Sequence, residues 1–151
     1  MTRPQQLEIN TRVIVDNFYL AARNGHPAEF ARYVREPFDL SAPAFLPRGG
    51  SHSGRYFAQV VLPQLTDVFD YTRFTTEQFY VQGNEALVIA RVGIAGSEQV
   101  VRTEDTWWVQ GGKVFALKSR IHEPYALTEQ LRVAAAFSKV TAAIRAEKAP
   151  A

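Results

Sequence analysis

Three charged residues in the second half of the chain have the types and spacing that acid–base chemistry needs: Glu104, Arg91 and Arg102. A carboxyl group enclosed by apolar side chains has a raised pKa and can act as a general acid or base. Guanidinium groups bind carboxylates in a bidentate geometry, so the two arginines predict a clamp for an anionic group. The alternatives are a structural ion pair for Glu104 and two solvated arginines near a hairpin end.

The segment FLPRGGSHSG, residues 45–54, is a second candidate because glycines, serines and a histidine are concentrated in it. A phosphate-binding loop needs Lys-Ser or Lys-Thr after its last glycine, whereas here the chain continues GRYF. The pattern around it contains no βαβ unit for a dinucleotide fingerprint. We expect a loop at the rim of a pocket, with Phe45 and His52 at that rim, or a solvent-exposed histidine at position 52.

The composition is that of an ordinary soluble domain. The chain has 151 residues, 46% of them hydrophobic, and a net charge of +2 with scattered basic residues, which argues against a nucleic-acid-binding surface. Without cysteine, disulfides and thiolate metal sites are excluded, and the three histidines have no metal-ligand spacing. The polar N-terminus and the lack of an apolar run of about 20 residues predict neither a secretory signal nor a membrane span. We expect a soluble, cytoplasmic protein without metal or cofactor.

Periodicity predicts an α+β domain in which helices pack on one face of an antiparallel sheet. The first helix should begin at Thr2 and end at Asn24-Gly25, and a kink is expected near Pro63 in the third. Turn residues separate strands rich in Val, Ile, Thr and aromatic residues. The predicted helices cover 2–25, 26–34, 53–68 and 126–148, and the predicted strands cover 38–41, 71–82, 85–95, 98–110 and 113–123.

The turn at Gly111-Gly112 predicts the register of the last hairpin. Counting outward from it places Trp108 opposite Phe115 and Glu104 opposite Ser119. Because that face also carries Leu117 and Ile121, we expect it to face the helices. A slip of one residue would put Asp105 on the inner face in place of Glu104.

The same counting from the Gly96-Ser97 turn extends this inner face to the preceding strand. Ile89 falls opposite Glu104 and Arg91 opposite Arg102, and Leu87 shares their face. Two guanidinium groups and one carboxylate on an inner face are costly unless they are paired or hydrated. They therefore either line a solvent-accessible cavity or indicate that the predicted register is wrong by one.

The segments NFYLAARNG, LPRGGSHSG and WWVQGGKVFALKSRIHEP, in this order of elements, resemble the SnoaL-like branch of the nuclear-transport-factor-2-like superfamily. Ketosteroid isomerases, polyketide cyclases, scytalone dehydratase and limonene epoxide hydrolase share that fold. The resemblance covers residues 7–124 and implies a cone, in which a curved sheet wraps three helices around an apolar pocket. It also implies a homodimer through the convex sheet face. We assign residues 1–125 to this domain and 126–151 to a C-terminal helical extension.

The functional residues of these enzymes match the chain only in part. The tyrosine of the isomerases falls on Phe18, with Tyr19 beside it, and their general base falls on Ala42. Their second acidic residue falls on Glu104, in agreement with the hairpin counting. Limonene epoxide hydrolase-like chemistry needs Arg-x-Asp, and here Arg91 is followed by Val92 and Gly93. The chain therefore lacks the complete residue set of either the isomerase or the epoxide hydrolase mechanism.

The sequence thus predicts a small-molecule-binding protein that acts, if it is an enzyme, as a cofactor-independent isomerase, cyclase or dehydratase on a small hydrophobic or aromatic metabolite. The alternative is a non-catalytic ligand-binding or protein-interaction module, because this fold does not imply a reaction. The predicted catalytic residues are Glu104, Arg91, Tyr19 and His52. The predicted ligand-binding residues are Phe18, Tyr33, Phe45, Tyr56, Val60, Leu87, Ile89, Arg102, Trp108, Phe115 and Leu117.

Overall fold

A computed structural model describes residues 2–43, 49–122 and 127–132 of the chain. It confirms the predicted α+β architecture, a curved six-stranded sheet with helices packed on its inner face. Among these residues no helix combines the length and the apolar character that crossing a membrane requires.

Helix α1 (Arg3–Arg23) begins and ends where the sequence predicts. Its N-terminus carries a capping box, in which the Thr2 hydroxyl accepts from the Gln5 amide and the Gln5 side chain accepts from the Thr2 amide. Gly25, at a φ of 80°, terminates it in a left-handed conformation. The buried face of α1 carries Phe18 and Tyr19, which direct aromatic rings into the core.

The second and third helices are less regular than α1. The second is a short 3₁₀ helix (Pro27–Tyr33). The third begins as α2 (Gly54–Tyr56), passes through a π-helical turn (Phe57–Val61) and continues as α3 (Leu62–Val68). Pro63, the second residue of α3, lies just after the π turn and has no amide hydrogen, so the irregularity lies where the sequence predicts a kink.

The sheet has the strand order β2-β1-β6-β5-β4-β3, in which β1 runs parallel to β6 and every other neighbouring pair is antiparallel. The last four strands lie within two residues of their predicted bounds. A short strand, β2, falls inside the segment predicted as a loop and pairs His52 with Leu40. The strands are β1 (Val34–Ala42), β2 (Gly50–His52), β3 (Phe69–Gln82), β4 (Glu85–Ile94), β5 (Val100–Gln110) and β6 (Lys113–His122).

The predicted register of the β5–β6 hairpin is wrong beyond its first two pairs. Next to the turn, Val109 faces Val114 as expected, but an irregularity follows, and Trp108 then faces Ala116 instead of Phe115. A β-bulge of this kind leaves one extra residue on one strand, so each later pair is shifted by one. Asp105, rather than Glu104, lies opposite Ser119.

The β4–β5 register is as predicted, with Ile89 opposite Glu104 and Arg91 opposite Arg102, but the face assignment is reversed. The inner face of β4 carries small and branched side chains, each no more than 2% exposed: Ala86, Val88, Ala90 and Val92. The inner face of β5 carries Val101, Thr103, Trp107 and Val109, all buried. Consequently the prediction that Leu87, Ile89, Arg91, Arg102, Glu104 and Trp108 face the helices is wrong, and all six lie on the outer face of the sheet.

Residues 127–132 form a helical segment after β6. Leu127 is fully buried in the core, and Leu131 packs against it. The Gln130 side-chain amide donates to the carbonyl of Gly96 at 3.4 Å. This part of the predicted C-terminal helix packs on the domain, and the rest of it lies outside the described residues.

Candidate functional site

The helices and the inner sheet face enclose a cavity of about 80 Å³. Its wall is mostly apolar, and the polar side chains that reach it are Gln64, Tyr71, Thr103, Asp105 and Ser119. Among the described residues Asp105 is the only one with a formal charge in this wall. The remaining lining residues are Phe18, Leu40, Ala42, Phe57, Val61, Leu65, Val68, Phe69, Phe74, Val92, Trp107 and Leu117.

Asp105 is held by hydroxyl groups from two different elements. The Tyr19 hydroxyl, from α1, donates to Oδ2 at 2.7 Å, and the Ser119 hydroxyl, from β6, donates to Oδ1 at 2.6 Å. Short O–H···O contacts of this kind are typical of bonds to a carboxylate. Trp107 Nε1 in turn donates to the Tyr19 oxygen at 2.9 Å. An indole can only donate, so the Tyr19 hydroxyl is left to donate to Asp105.

Burial raises the pKa of Asp105, because the surrounding protein disfavours its charged form. The hydrogen bonds from Ser119 and Tyr19 lower the pKa and offset part of this effect, while the nearby charge of Glu104 raises it. The pKa of Tyr19 is raised well above its ordinary value by burial and by the negative charge of Asp105. Tyr19 therefore stays protonated and serves Asp105 as a hydrogen-bond donor.

The predicted Glu104–arginine cluster exists, but on the outer face of the sheet. Glu77 pairs with both guanidinium groups, at 3.0 Å from Arg91 and 3.5 Å from Arg102. Glu104 instead contacts His122, with 3.0 Å between Oε2 and Nε2. These three interactions hold Glu104, Arg91 and Arg102 on the outer face of the sheet, away from the cavity, so their predicted placement in a pocket is wrong.

Of the other predicted residues, Phe18 and Leu117 line the cavity, and Tyr19 reaches it through Asp105. His52 Nε2 instead donates to the Gly49 carbonyl at 2.7 Å, and its ring stacks on Tyr56, with 4.1 Å between ring centroids. Tyr33 packs on Phe30 beside the 3₁₀ helix. None of the side chains of Tyr33, His52, Tyr56, Val60, Phe115 or Trp108 belongs to the described cavity wall, and Phe45 lies outside the described residues.

Sequence reasoning missed the two central residues of this site, Asp105 and Trp107. The predicted register placed Asp105 on the outer face of the sheet, whereas the observed register places it on the inner face, opposite Ser119. One feature of the sequence argued against the predicted register: it required two guanidinium groups, Arg91 and Arg102, on the buried face of the sheet, which is costly. In the structure both lie on the outer face. Shifting the register by one brings Tyr19 and Asp105 together, each one position from where the isomerase pattern placed its tyrosine and second acid.

The described chain has the nuclear-transport-factor-2-like fold, as the sequence predicts. It is similar to a protein of unknown function with this fold from Mesorhizobium loti, at 22% identity and a TM-score of 0.62, over 76% of this chain and 93% of that one. A proposed SnoaL-like polyketide cyclase from Jannaschia sp. CCS1 matches at 14% identity and a TM-score of 0.66, over 81% and 92%. A proposed ketosteroid isomerase from Kribbella flavida matches at 17% and 0.61, over 77% and 80%. No family model matches the sequence, and no curated protein matches it significantly.

Proposed function

We propose that the chain binds a small, largely apolar ligand in the cone cavity and that Asp105 transfers a proton to or from it without a cofactor. The observation that carries this proposal is the position of Asp105, a carboxyl group in a wall of aromatic and aliphatic side chains. A pKa raised by burial brings a carboxyl group toward the range in which it can both accept and donate a proton. Asp105 thereby takes the role that the sequence assigned to Glu104.

The reaction class that fits one carboxyl group is proton abstraction next to a ligand carbonyl. The Asp105 carboxylate takes the proton, so a C–H bond breaks, an O–H bond forms on Asp105, and the electron pair moves into an enolate. Thr103 lines the same cavity, and its hydroxyl can offer a hydrogen bond to the enolate oxygen. Return of the proton to a different carbon would complete an isomerisation.

Exchange of ligand hydrogens with solvent tests this chemistry without knowledge of the natural substrate. Cyclohexanone and cyclohexenone, incubated with the protein in deuterated buffer, should exchange the hydrogens next to the carbonyl faster than in protein-free buffer. Nuclear magnetic resonance measures the loss of the proton signals. Exchange at the protein-free rate for ketones that bind the protein would contradict the proton-transfer role.

A non-catalytic binding module is the second candidate, and one observation favours it. Ala42, the position onto which the isomerase base falls, lines the cavity and supplies no acid or base. A reaction that needs a separate acid and base would have to draw both from Asp105 and neutral side chains. Ketones that bind in the cavity but do not exchange would support this candidate.

We also propose a homodimer through the outer face of the sheet. Leu87, Ile89 and Trp108 are only half-buried there, and Tyr80 is 57% exposed. Sheet faces that carry several large apolar side chains beside paired charges resemble protein–protein interfaces. A second copy of the chain would cover this surface.

Ile89→Lys should therefore shift the protein from dimer to monomer, because the new charge would have to be buried at the interface. Sedimentation equilibrium gives the molar mass. Val13→Lys is the matched control, since Val13 is also apolar and 54% exposed but lies on α1. A wild-type protein with the mass of a monomer would contradict the dimer.

A further inference from the structure

Asp105 has hydrogen-bond partners for its carboxylate oxygens, but among the described residues no cationic side chain balances its negative charge. Both of its oxygens already accept a hydroxyl hydrogen bond, one from Tyr19 and one from Ser119. Neutral hydroxyl groups satisfy lone pairs but supply no positive charge. Among the described residues no lysine or arginine forms an ion pair with Asp105, and Glu104, the next residue along β5, adds a second negative charge nearby.

The rest of the cavity wall suits a cation and not an anion. Six aromatic rings line it, and aromatic faces attract ammonium and guanidinium groups. One member of this group, Phe74, already has the guanidinium of Arg23 5.6 Å from its ring centre. The lining rings are Phe18, Phe57, Phe69, Tyr71, Phe74 and Trp107.

The arginines that the sequence offered as an anion clamp cannot reach a ligand in this cavity. Arg91 and Arg102 lie on the opposite face of the sheet, and both are paired with Glu77. A carboxylate ligand beside Asp105 would bring two like charges together in an apolar enclosure, which is strongly unfavourable. The cavity should therefore reject the anionic group that the sequence led us to expect.

We propose that the cavity selects ligands carrying a small organic cation, a primary or secondary ammonium group, which pairs with Asp105 among the aromatic rings. This inference rests on the proposed function in one respect, that a ligand enters the cavity. Asp105 is half-buried in the cavity wall, so a cationic ligand gives up its own hydration but adds less desolvation of the carboxylate than pairing with a fully exposed group would require. A bound cation stabilises the ionised form of Asp105 and therefore lowers its pKa, whereas burial raises it.

Three ligands of similar shape and different charge test this selection: benzylamine, benzyl alcohol and benzoate. Isothermal titration calorimetry at pH 7, where benzylamine is protonated, gives their affinities for the wild-type protein. We expect benzylammonium to bind at least about tenfold more tightly than benzyl alcohol, and benzoate more weakly than both. The order should persist in 0.5 M potassium chloride, because salt screens an enclosed pair much less than a surface pair.

Two variants locate the charge that produces the preference. Asp105→Asn keeps the size of the side chain and removes its charge, so the preference for benzylammonium should disappear while benzyl alcohol still binds. Glu104→Gln removes the same charge one residue away on the outer face and should keep the preference.

The outcomes separate this inference from the proposed function. Benzyl alcohol that binds the wild-type protein as tightly as benzylammonium overturns the cation selection and leaves ligand binding in place. A preference that survives in Asp105→Asn, or that disappears in 0.5 M salt, also overturns it. Failure of all three ligands to bind the wild-type protein overturns the cation selection, and failure of the two ketones to bind as well overturns the proposed function.

Discussion

Trp107→Ala should destabilise the protein by about 3–5 kcal/mol, whereas Trp108→Ala should cost about 1 kcal/mol or less. The two residues are neighbours of the same type on β5, but their side chains lie on opposite faces of the sheet. Trp107 is fully buried, packs against Phe18 with ring centroids 4.9 Å apart, and donates a hydrogen bond to Tyr19. Removing it leaves a void in the core and takes away the hydrogen bond that the Tyr19 oxygen accepts.

Urea unfolding of both variants measures this difference in the free energy of unfolding. The protein concentration should be low enough that association of chains does not contribute. Because the substitution is chemically identical at the two positions, intrinsic strand propensity affects both similarly. A larger loss at Trp108 would mean that the hairpin has the register that the Gly111-Gly112 turn alone predicts, and equal losses would contradict the burial of Trp107 in place of Trp108.

Asp105→Asn should slow ketone hydrogen exchange by about 10²–10⁴-fold relative to the wild-type protein, which is the usual contribution of a positioned general base. Asparagine retains the shape of aspartate and can still hydrogen-bond to the hydroxyl groups of Tyr19 and Ser119, but it cannot take up the proton. The loss should therefore appear in the exchange rate rather than in the fold, which circular dichroism checks.

Glu104→Gln is the control for this variant, since Glu104 lies next in sequence and pairs with His122 outside the cavity. It should retain the wild-type exchange rate to within a few-fold, and the small residual change reflects the modest influence of Glu104 on the pKa of Asp105. A greater loss of exchange in Glu104→Gln than in Asp105→Asn would mean that Glu104, on the outer face of the sheet, transfers the proton, and would contradict the role of Asp105.

The helices and strands could be predicted from the sequence because the residues that begin and end each of them lie within a few positions of its ends. The capping box at Thr2, the stop at Gly25 and the glycine turns between strands each act within a few residues. Alternation of apolar residues then defines the strands, and the order of elements indicates the fold.

The site could not be predicted in the same way because a single bulge decides which residues point inward. The turn predicts Val109 opposite Val114, and the structure has that pair. No feature of the sequence pattern indicates the bulge that follows at Trp108. Since side chains alternate along a strand, one extra residue exchanges the two faces. The adjacent pairs Glu104-Asp105 and Trp107-Trp108 made both registers chemically reasonable.

The central claim is that Asp105, and not Glu104, is the carboxyl group enclosed by the protein, and the pH dependence of stability tests it most directly. Burial raises the pKa of Asp105 above its ordinary value of 3.8, so between that value and the higher folded-state pKa the folded protein binds more protons than the unfolded chain. Its contribution to stability is therefore fully present below about pH 4 and is lost as the pH rises through the folded-state pKa.

Urea unfolding of the wild-type protein, Asp105→Asn and Glu104→Gln over a series of pH values measures this contribution. Differences between variants remove the effects of groups they share, such as Asp70, whose pKa is lowered by hydrogen bonds from Thr72 and Arg73. We predict that Asp105→Asn gains stability relative to the wild-type protein as the pH rises above about 4, and that Glu104→Gln follows the wild-type curve. A parallel curve for Asp105→Asn, with the relative gain in Glu104→Gln instead, would contradict the account.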